Sequence, residues 1–284
     1  MKRILLLFVI LFSVASAGFS QDAATLINKA NAALKAKNYA QAYTFYESAM
    51  GNMGDVKIDA AINYNIGFAA FQAKKYSAAE KYLNKAVVAK VNLPQTYELL
   101  GKTYTKLAKT QKAIDSYKKA ITAGNTDKGS LYYNAGIAAY KGKMYKEASE
   151  LFGKAVNEKY NPDKVLYLKA LAVKKMGDMA GYKQILEDGF KAYPTNSKLK
   201  KSLADIYVGE GNNLYKNGVS ILTDANAKVK SGAMKTTDDL YKKALLESKT
   251  KFTSAVKVLK QAVAIDATNK NALSLISACS QMLK

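Results

Sequence analysis

Any chemistry in this chain has to be carried by tyrosine, asparagine, lysine and carboxylates. There is no histidine and no tryptophan, and Cys279 is the only thiol. Without an imidazole there is no Ser–His or Cys–His pair to activate a nucleophile. One thiol and no imidazole leave no zinc site of the usual kind. The run Gly51-Asn52-Met53-Gly54 is too short for a phosphate-cradling loop and lacks its Lys-Ser/Thr ending. Asp238-Asp239 are adjacent carboxylates of the kind that open a helix, where the dipole favours negative charge. The sequence argues against the common catalytic and metal-dependent classes, calls for no cofactor, and points to recognition.

The recognising residues must be positioned by something, and the chain repeats a phrase that can do it. It reads Tyr39-x-x-Ala42-x-x-x-Tyr46-x-x-Ala49, then Tyr76-x-x-Ala79-x-x-x-Leu83-x-x-Ala86. It returns as Ala113-x-x-x-Tyr117-x-x-Ala120 and as Tyr145-x-x-Ala148-x-x-x-Phe152-x-x-Ala155. The alanines Ala42, Ala79, Ala113 and Ala148 lie 37, 34 and 35 residues apart. About a dozen residues upstream of three of them a glycine follows an aromatic or apolar residue: Gly67, Gly101 and Gly136, with Ala30 in that place in the first copy. Spacings of three and four put Tyr64, Gly67, Phe68 and Phe71 on one helix face, and Ala79, Leu83 and Ala86 on another. Small residues let the two helix axes approach, and Tyr82 and Leu83 fill the groove beside them. Each unit therefore reads as helix, tight turn, helix.

This pattern resembles the tetratricopeptide repeat family. Gly67, Gly101 and Gly136 match its glycine, and Ala42, Ala79, Ala113 and Ala148 its first alanine. Tyr46, Tyr117 and Phe152 match its aromatic place, with Leu83 substituting there. Ala49, Ala86, Ala120 and Ala155 match its second alanine, and Pro94 and Pro162 fall near unit boundaries. A fifth, degenerate unit runs through Met176-Gly177-Asp178, Tyr182, Leu186 and Gly189 to Pro194. The resemblance implies an all-α, right-handed α-solenoid of stacked helix-turn-helix repeats, with a divergent C-terminal repeat and a capping helix.

The family holds its ligands in a concave groove lined by the first helix of each unit. By resemblance, the groove positions here include Asn31, Tyr64, Asn65, Phe68, Phe71, Glu98, Lys102, Thr105, Tyr133, Asn134, Ile137, Tyr140 and Lys141. Tyrosine and asparagine suit peptide recognition, since the ring supplies area and the amide pairs with a peptide backbone. Several of the same residues are also repeat consensus. Some family members clamp a C-terminal carboxylate with lysine, asparagine and arginine. Asn31 and Asn65 fit that clamp, but Ile27, Gln95 and Leu99 stand where its cations belong, so it is not expected here.

The formal charge is +22, and Arg3 is the only arginine. Arginine is the usual bidentate reader of phosphate and guanine, so sequence-specific nucleic-acid binding is not expected. Lysines gather where first helices should end: Lys35 and Lys37, Lys74 and Lys75, Lys106 and Lys109, Lys141 and Lys143, Lys174 and Lys175. One reading is structural, because cations suit a helix C-terminus. The other takes Lys37, Lys74, Lys75, Lys109, Lys143, Lys174 and Lys175 as a basic ridge for acidic proteins, anionic glycans or lipid head groups.

Residues 1–17 read as a secretory signal peptide. Lys2 and Arg3 precede the apolar run Ile4 to Phe12, and Ala15-Ser16-Ala17 is a cleavage signal. The run is short for a membrane crossing. Residues 22–195 read as five repeats and 196–284 as divergent helical repeats with an insertion and a cap. In that last part, Ser197 to Val208 and Asn212 to Asn226 read as two helices. Phe252-x-x-Ala255-x-x-x-Leu259-x-x-Ala262 restates the phrase, with Gly218 as its paired glycine, and a cap follows from Asn269 to Leu283. Two separate divergent hairpins are the alternative. The expectation is an exported, non-catalytic scaffold in the periplasm or on the outer surface, holding a partner peptide or helix. A polyanion-binding module and a structural subunit of a secretion or motility assembly are the other readings.

Overall fold

The computed structural model describes residues 18–52 and 59–284. The expected leader, residues 1–17, lies outside the described residues. Among those described there are thirteen α-helices and no strand. Contacts divide the chain into two compact units, residues 1–138 and 139–284.

The first unit holds α1 (Gly18–Lys35), α2 (Tyr39–Gly51), α3 (Ile62–Gln72), α4 (Tyr76–Val88), α5 (Leu93–Lys106), α6 (Thr110–Thr122) and most of α7 (Lys128–Lys141). From α1 to α6 each helix packs on the next, and α3 also touches α5. The repeat glycines sit at these contacts. A Cβ on Gly67 would lie 2.6 Å from Leu83 Cγ, and one on Gly101 would lie 2.7 Å from Tyr117 Cδ1. Such distances leave no room for a side chain. Ala42, Ala49, Ala79, Ala86, Ala113 and Ala120 are fully buried beside them.

Seven of the helices, α1 and α3 to α8, stop in one way. At the end of α3 the Lys74 N–H donates to the Phe71 carbonyl at 3.0 Å and the Lys75 N–H to the Ala70 carbonyl at 2.8 Å. Lys74 itself is left-handed, with φ 62°. This is the Schellman arrangement, in which glycine is the usual left-handed residue. Lys37 and Ala108 end α1 and α5 in the same way, Lys90 and Gly124 end α4 and α6, and in the second unit Lys143 and Lys159 do so for α7 and α8. Pro94 and Pro162 stand in the first turns of α5 and α9, behind left-handed Asn92 and Asn161. Proline suits that place because it has no N–H to lose.

The second unit continues with α8 (Tyr145–Asn157), α9 (Pro162–Lys175), α10 (Met179–Ala192), α11 (Ser197–Lys230), α12 (Asp239–Ile265) and α13 (Lys270–Leu283). Ala148, Phe152 and Ala155 are fully buried on α8. In the degenerate hairpin, Tyr182 and Leu186 are buried, and Gly189 lies against Leu199.

Here the structure differs from the sequence reading. Ser197–Lys230 is one uninterrupted helix of 34 residues, about 50 Å long, with no break at Gly209 or Gly211. Gly211, not Gly218, is the partner of the phrase: a Cβ on Gly211 would sit 2.5 Å from Leu259 Cγ. Gly218 meets Phe252, one heptad further along both helices. Ala204, Gly211, Gly218 and Ala225 are buried at seven-residue spacing on α11. Ser248, Phe252, Ala255, Leu259 and Ala262 are buried at alternating four and three on α12. That spacing is an antiparallel coiled-coil seam, its small side filled by the large residues opposite. α13 packs on α12 and closes the core with Leu275, Ile276, Met282 and buried Cys279. Burial pushes the Cys279 thiol up, so it behaves as a small hydrophobe.

Candidate functional site

The recognition positions of the first unit lie on α1, α3, α5 and the first part of α7. Asn31, Tyr64, Asn65, Phe68, Phe71, Glu98, Lys102, Thr105, Tyr133, Asn134 and Ile137 are all half-buried. That suits residues standing between a core and a contact face. Of the positions assigned to the second unit, Tyr140 is half-buried and Lys141 exposed.

Several of them already have work within the fold. Phe68 meets Tyr39 edge-on, with ring centroids 5.8 Å apart, and so bridges α3 to α2. Phe71 meets Tyr76 at 5.7 Å across the α3–α4 turn, and Tyr140 meets Tyr145 at 5.5 Å across the α7–α8 turn. These rings staple hairpins as well as line a face. The Glu98 carboxylate is held by Lys102 one turn on, and Asn125 Nδ2 donates to it at 3.0 Å. The two charges cancel, so this stretch carries no net field. Thr105 donates to the Gly101 carbonyl at 2.8 Å. Asn134 Nδ2 donates to Ser130 Oγ at 3.4 Å.

Tyr46 and Tyr117, from the second helices α2 and α6, reach through to this face. Tyr46 is fully buried, yet its hydroxyl donates to Asn31 Oδ1 at 2.5 Å. In the sequence both tyrosines read as packing residues only. The one available signal was the choice of tyrosine where Leu83 and Phe152 show that an apolar side chain suffices.

The turn lysines Lys37, Lys74, Lys75, Lys109, Lys143, Lys174 and Lys175 are exposed. Lys37, Lys74 and Lys143 are the left-handed residues of their Schellman turns. Lys75 lies over the Tyr43 ring at 5.2 Å, and Lys174 over Tyr182 at 5.0 Å. Lys109 pairs with Glu80 at 2.6 Å and stands over Tyr104 at 6.0 Å. Lys90 and Lys159 take the same left-handed place after α4 and α8, at the opposite ends of the hairpins. Lysine at helix C-termini is therefore a capping habit of this chain on both edges, as the helix dipole favours, whereas Lys75 and Lys109 open α4 and α6 and are held by the Tyr43 ring and by Glu80.

Among the described residues no group of His, Cys, Asp and Glu could hold a metal ion, and no helix is long and apolar enough to cross a membrane.

Residues 60–87 and 94–123 match the tetratricopeptide repeat family. Both segments begin seven residues before the packing glycines Gly67 and Gly101, the phase set by the Gly–Leu83 and Gly–Tyr117 contacts. No curated protein sequence matches the chain. Solved structures do. YrrB, described as a tetratricopeptide protein with an unusual peptide-binding site, is 18% identical, with 66% of this chain and 98% of YrrB covered and a TM-score of 0.50. MamA is 17% identical over 63% of this chain and 95% of its own, with a TM-score of 0.51. A tetratricopeptide repeat protein from Parabacteroides merdae ATCC 43184 is 18% identical over 92% of this chain and 99% of its own, with a TM-score of 0.50. At these identities the likeness is one of fold. The chain carries the tetratricopeptide repeat family's sequence pattern at α3–α6, and its fold is similar to that of solved tetratricopeptide repeat proteins.

Proposed function

We propose that this chain is a non-catalytic scaffold of the cell envelope that holds a partner protein by an extended peptide segment or helix. The contact is the groove face of α1, α3, α5 and α7 in the first unit. One observation carries the reading: the half-buried pairs Tyr64-Asn65 on α3 and Tyr133-Asn134 on α7 stand at equivalent places before Gly67 and Gly136, with Glu98 and Lys102 on the same face of α5. Half-buried aromatic rings gain area on binding at little entropic cost, and amides satisfy a peptide backbone. The peptide-binding site named for YrrB agrees with it. Export rests on the charge and apolar run of residues 1–17. Lys37, Lys74 and Lys143 close helices and Lys109 pairs with Glu80, so the turn lysines favour no second reading.

The test is capture of partners from envelope extracts by the full-length protein and by the Tyr64→Ala, Tyr133→Ala double variant. Loss of capture in the variant, with an unchanged melting curve, is expected. Equal capture by both, or release by salt alone, would overturn the groove reading.

A further inference from the structure

The track that seats α13 runs on past the end of α13. Seven-residue steps keep to one side of a helix in a coiled coil. On α11 that side reads Val208, Tyr215, Leu222, Val229, and on α12 it reads Val263, Val256, Lys249, Lys242. Val208, Tyr215, Val256 and Val263 pack in the core that α13 closes with Leu275, Ile276 and Met282. α13 has 14 residues, about 21 Å of helix. The buried clusters under α10 and α13 reach no farther than Val219 on α11 and Phe252 on α12. From there to the turn at 231–238 the two helices still pair, with Ala225 and Ser248 buried. Along this outer half one rail of the track stays apolar and the other turns basic. Leu222, Val229 and Leu245 are half-buried and Leu246 is 68% exposed, while Lys249 and Lys242 replace the two valines. Asp224 and Glu247 come two positions after Leu222 and Leu245, which puts them on the far side of each helix. Asp239 meets Lys242 at 3.3 Å, but both side chains are largely exposed, so water screens that pair.

We propose that the outer half of the α11–α12 hairpin is a second docking surface. Its occupant is an amphipathic helix of a partner protein, laid end to end with α13, with leucine-type residues on one face and Asp or Glu bordering them. The apolar face covers Leu222, Leu245 and Leu246, as α13 covers Tyr215 and Val256 one heptad away. The acidic border meets Lys242 and Lys249. A second copy of this chain fits poorly, because it would bring the same lysines to the contact and like charges repel there. The surface belongs to the second unit and stands apart from the first-unit groove.

The probe is a displayed library of helices about three heptads long, with leucine or isoleucine at the core positions and glutamate or lysine at each flanking position. It is selected on the full-length protein, and a tryptophan placed in a selected helix reports binding, since the chain has none. Glutamate-flanked helices should be selected, and Leu246→Ser should bind them about tenfold more weakly. The double variant Lys242→Glu, Lys249→Glu should reverse the preference to lysine flanks. A general attraction to the chain's positive charge cannot reverse, because the variant is still strongly cationic. Tyr64→Ala with Tyr133→Ala should bind the helices as the wild type does. No selected helix, or equal binding by Leu246→Ser, would overturn the inference. So would a wild-type dimer that Leu246→Ser dissociates, which would make a second copy the occupant. Loss of binding in the Tyr64, Tyr133 double variant alone would overturn it too, and would support the groove reading instead. Should the charge-reversed variant fail to fold, Leu246→Ser decides, since that side chain faces solvent.

Discussion

Gly211 on α11 and Leu259 on α12 touch as Gly67 and Leu83 do on α3 and α4, though far more chain separates them. The glycine and its large partner are sixteen positions apart in the ordinary repeats and forty-eight apart here. The last hairpin therefore repeats the packing of the α3–α4 hairpin with its two helices lengthened together. The contact fixes two substitutions of opposite sign. Gly211→Leu should cost about 1–3 kcal/mol or more, because the new side chain meets Leu259 with nowhere to go. Gly209→Ala, two residues earlier with nothing within 4 Å of the added carbon, should gain about 0.5–1 kcal/mol from helix propensity alone. Urea denaturation of the two variants measures both; equal signs would mean that α11 is not seated on α12 as described.

The heptad register of the same hairpin gives a second test. Gly211 to Gly218 and Leu259 to Phe252 are equal steps on facing helices. Removing residues 212–218 together with 252–258 should shorten the coiled coil by one heptad and leave Ala225 and the Gly211–Leu259 contact in register. Such a paired deletion should fold cooperatively. Removing either segment alone shifts one seam against the other and should cost several kcal/mol. Circular dichroism melts of the three deletions separate these outcomes.

What was legible in the sequence followed from side-chain size. Gly67, Ala79, Leu83 and Ala86 fall into place from spacing alone, because a close helix pair demands small against large. The same rule misled at Gly209, Gly211 and the Asn212-Asn213 pair, where helix-weakening residues suggested a turn. Propensity differences of about 1 kcal/mol per glycine are outweighed by burial of a seam that runs the length of α11. The recognition face was legible as a set of positions but not as a set of bonds. Nothing in the letters distinguishes a tyrosine that only fills space from Tyr46, whose hydroxyl reaches Asn31. The left-handed lysines were likewise invisible, since the turns carry lysine where glycine would announce the conformation.

Those lysines make a third prediction. Ala108 ends α5 with φ 55° and Lys74 ends α3 with φ 62°, a region costly for any side chain bearing a Cβ. Ala108→Gly should gain about 0.5–1 kcal/mol. Lys74→Gly should gain less at low salt, because it also removes a cation worth about 0.3–1 kcal/mol at the helix C-terminus. Salt screens that cation, so the gain from Lys74→Gly should grow with ionic strength while that from Ala108→Gly stays level. Parallel denaturation series at low and high salt would show it; two identical salt profiles would remove the capping account of the turn lysines.

The buried tyrosine hydroxyls predict how the fold responds to alkali. Burial drives the Tyr117 hydroxyl up to about 12; Thr105 lowers it in part and the Glu98 charge raises it again. Burial raises Tyr46 as well, against a lowering by Asn65. An unfolded chain releases these protons near 10. Between about pH 10 and 12 the folded chain thus holds protons that the unfolded chain has lost, and stability falls as pH rises. Below about 10 the contribution is fully present. For Tyr117 the slope is about 1.4 kcal/mol per pH unit through that window. Tyr117→Phe removes the proton and should flatten the decline relative to wild type, while the titration of surface lysines, common to both proteins, cancels in the comparison. Denaturation midpoints at about pH 8, 10 and 11 measure the slopes, and phenolate absorbance counts the tyrosines that ionise late. Parallel slopes in the two proteins would show that Tyr117 meets water and that α6 does not close over α5 as the Gly101 contact requires.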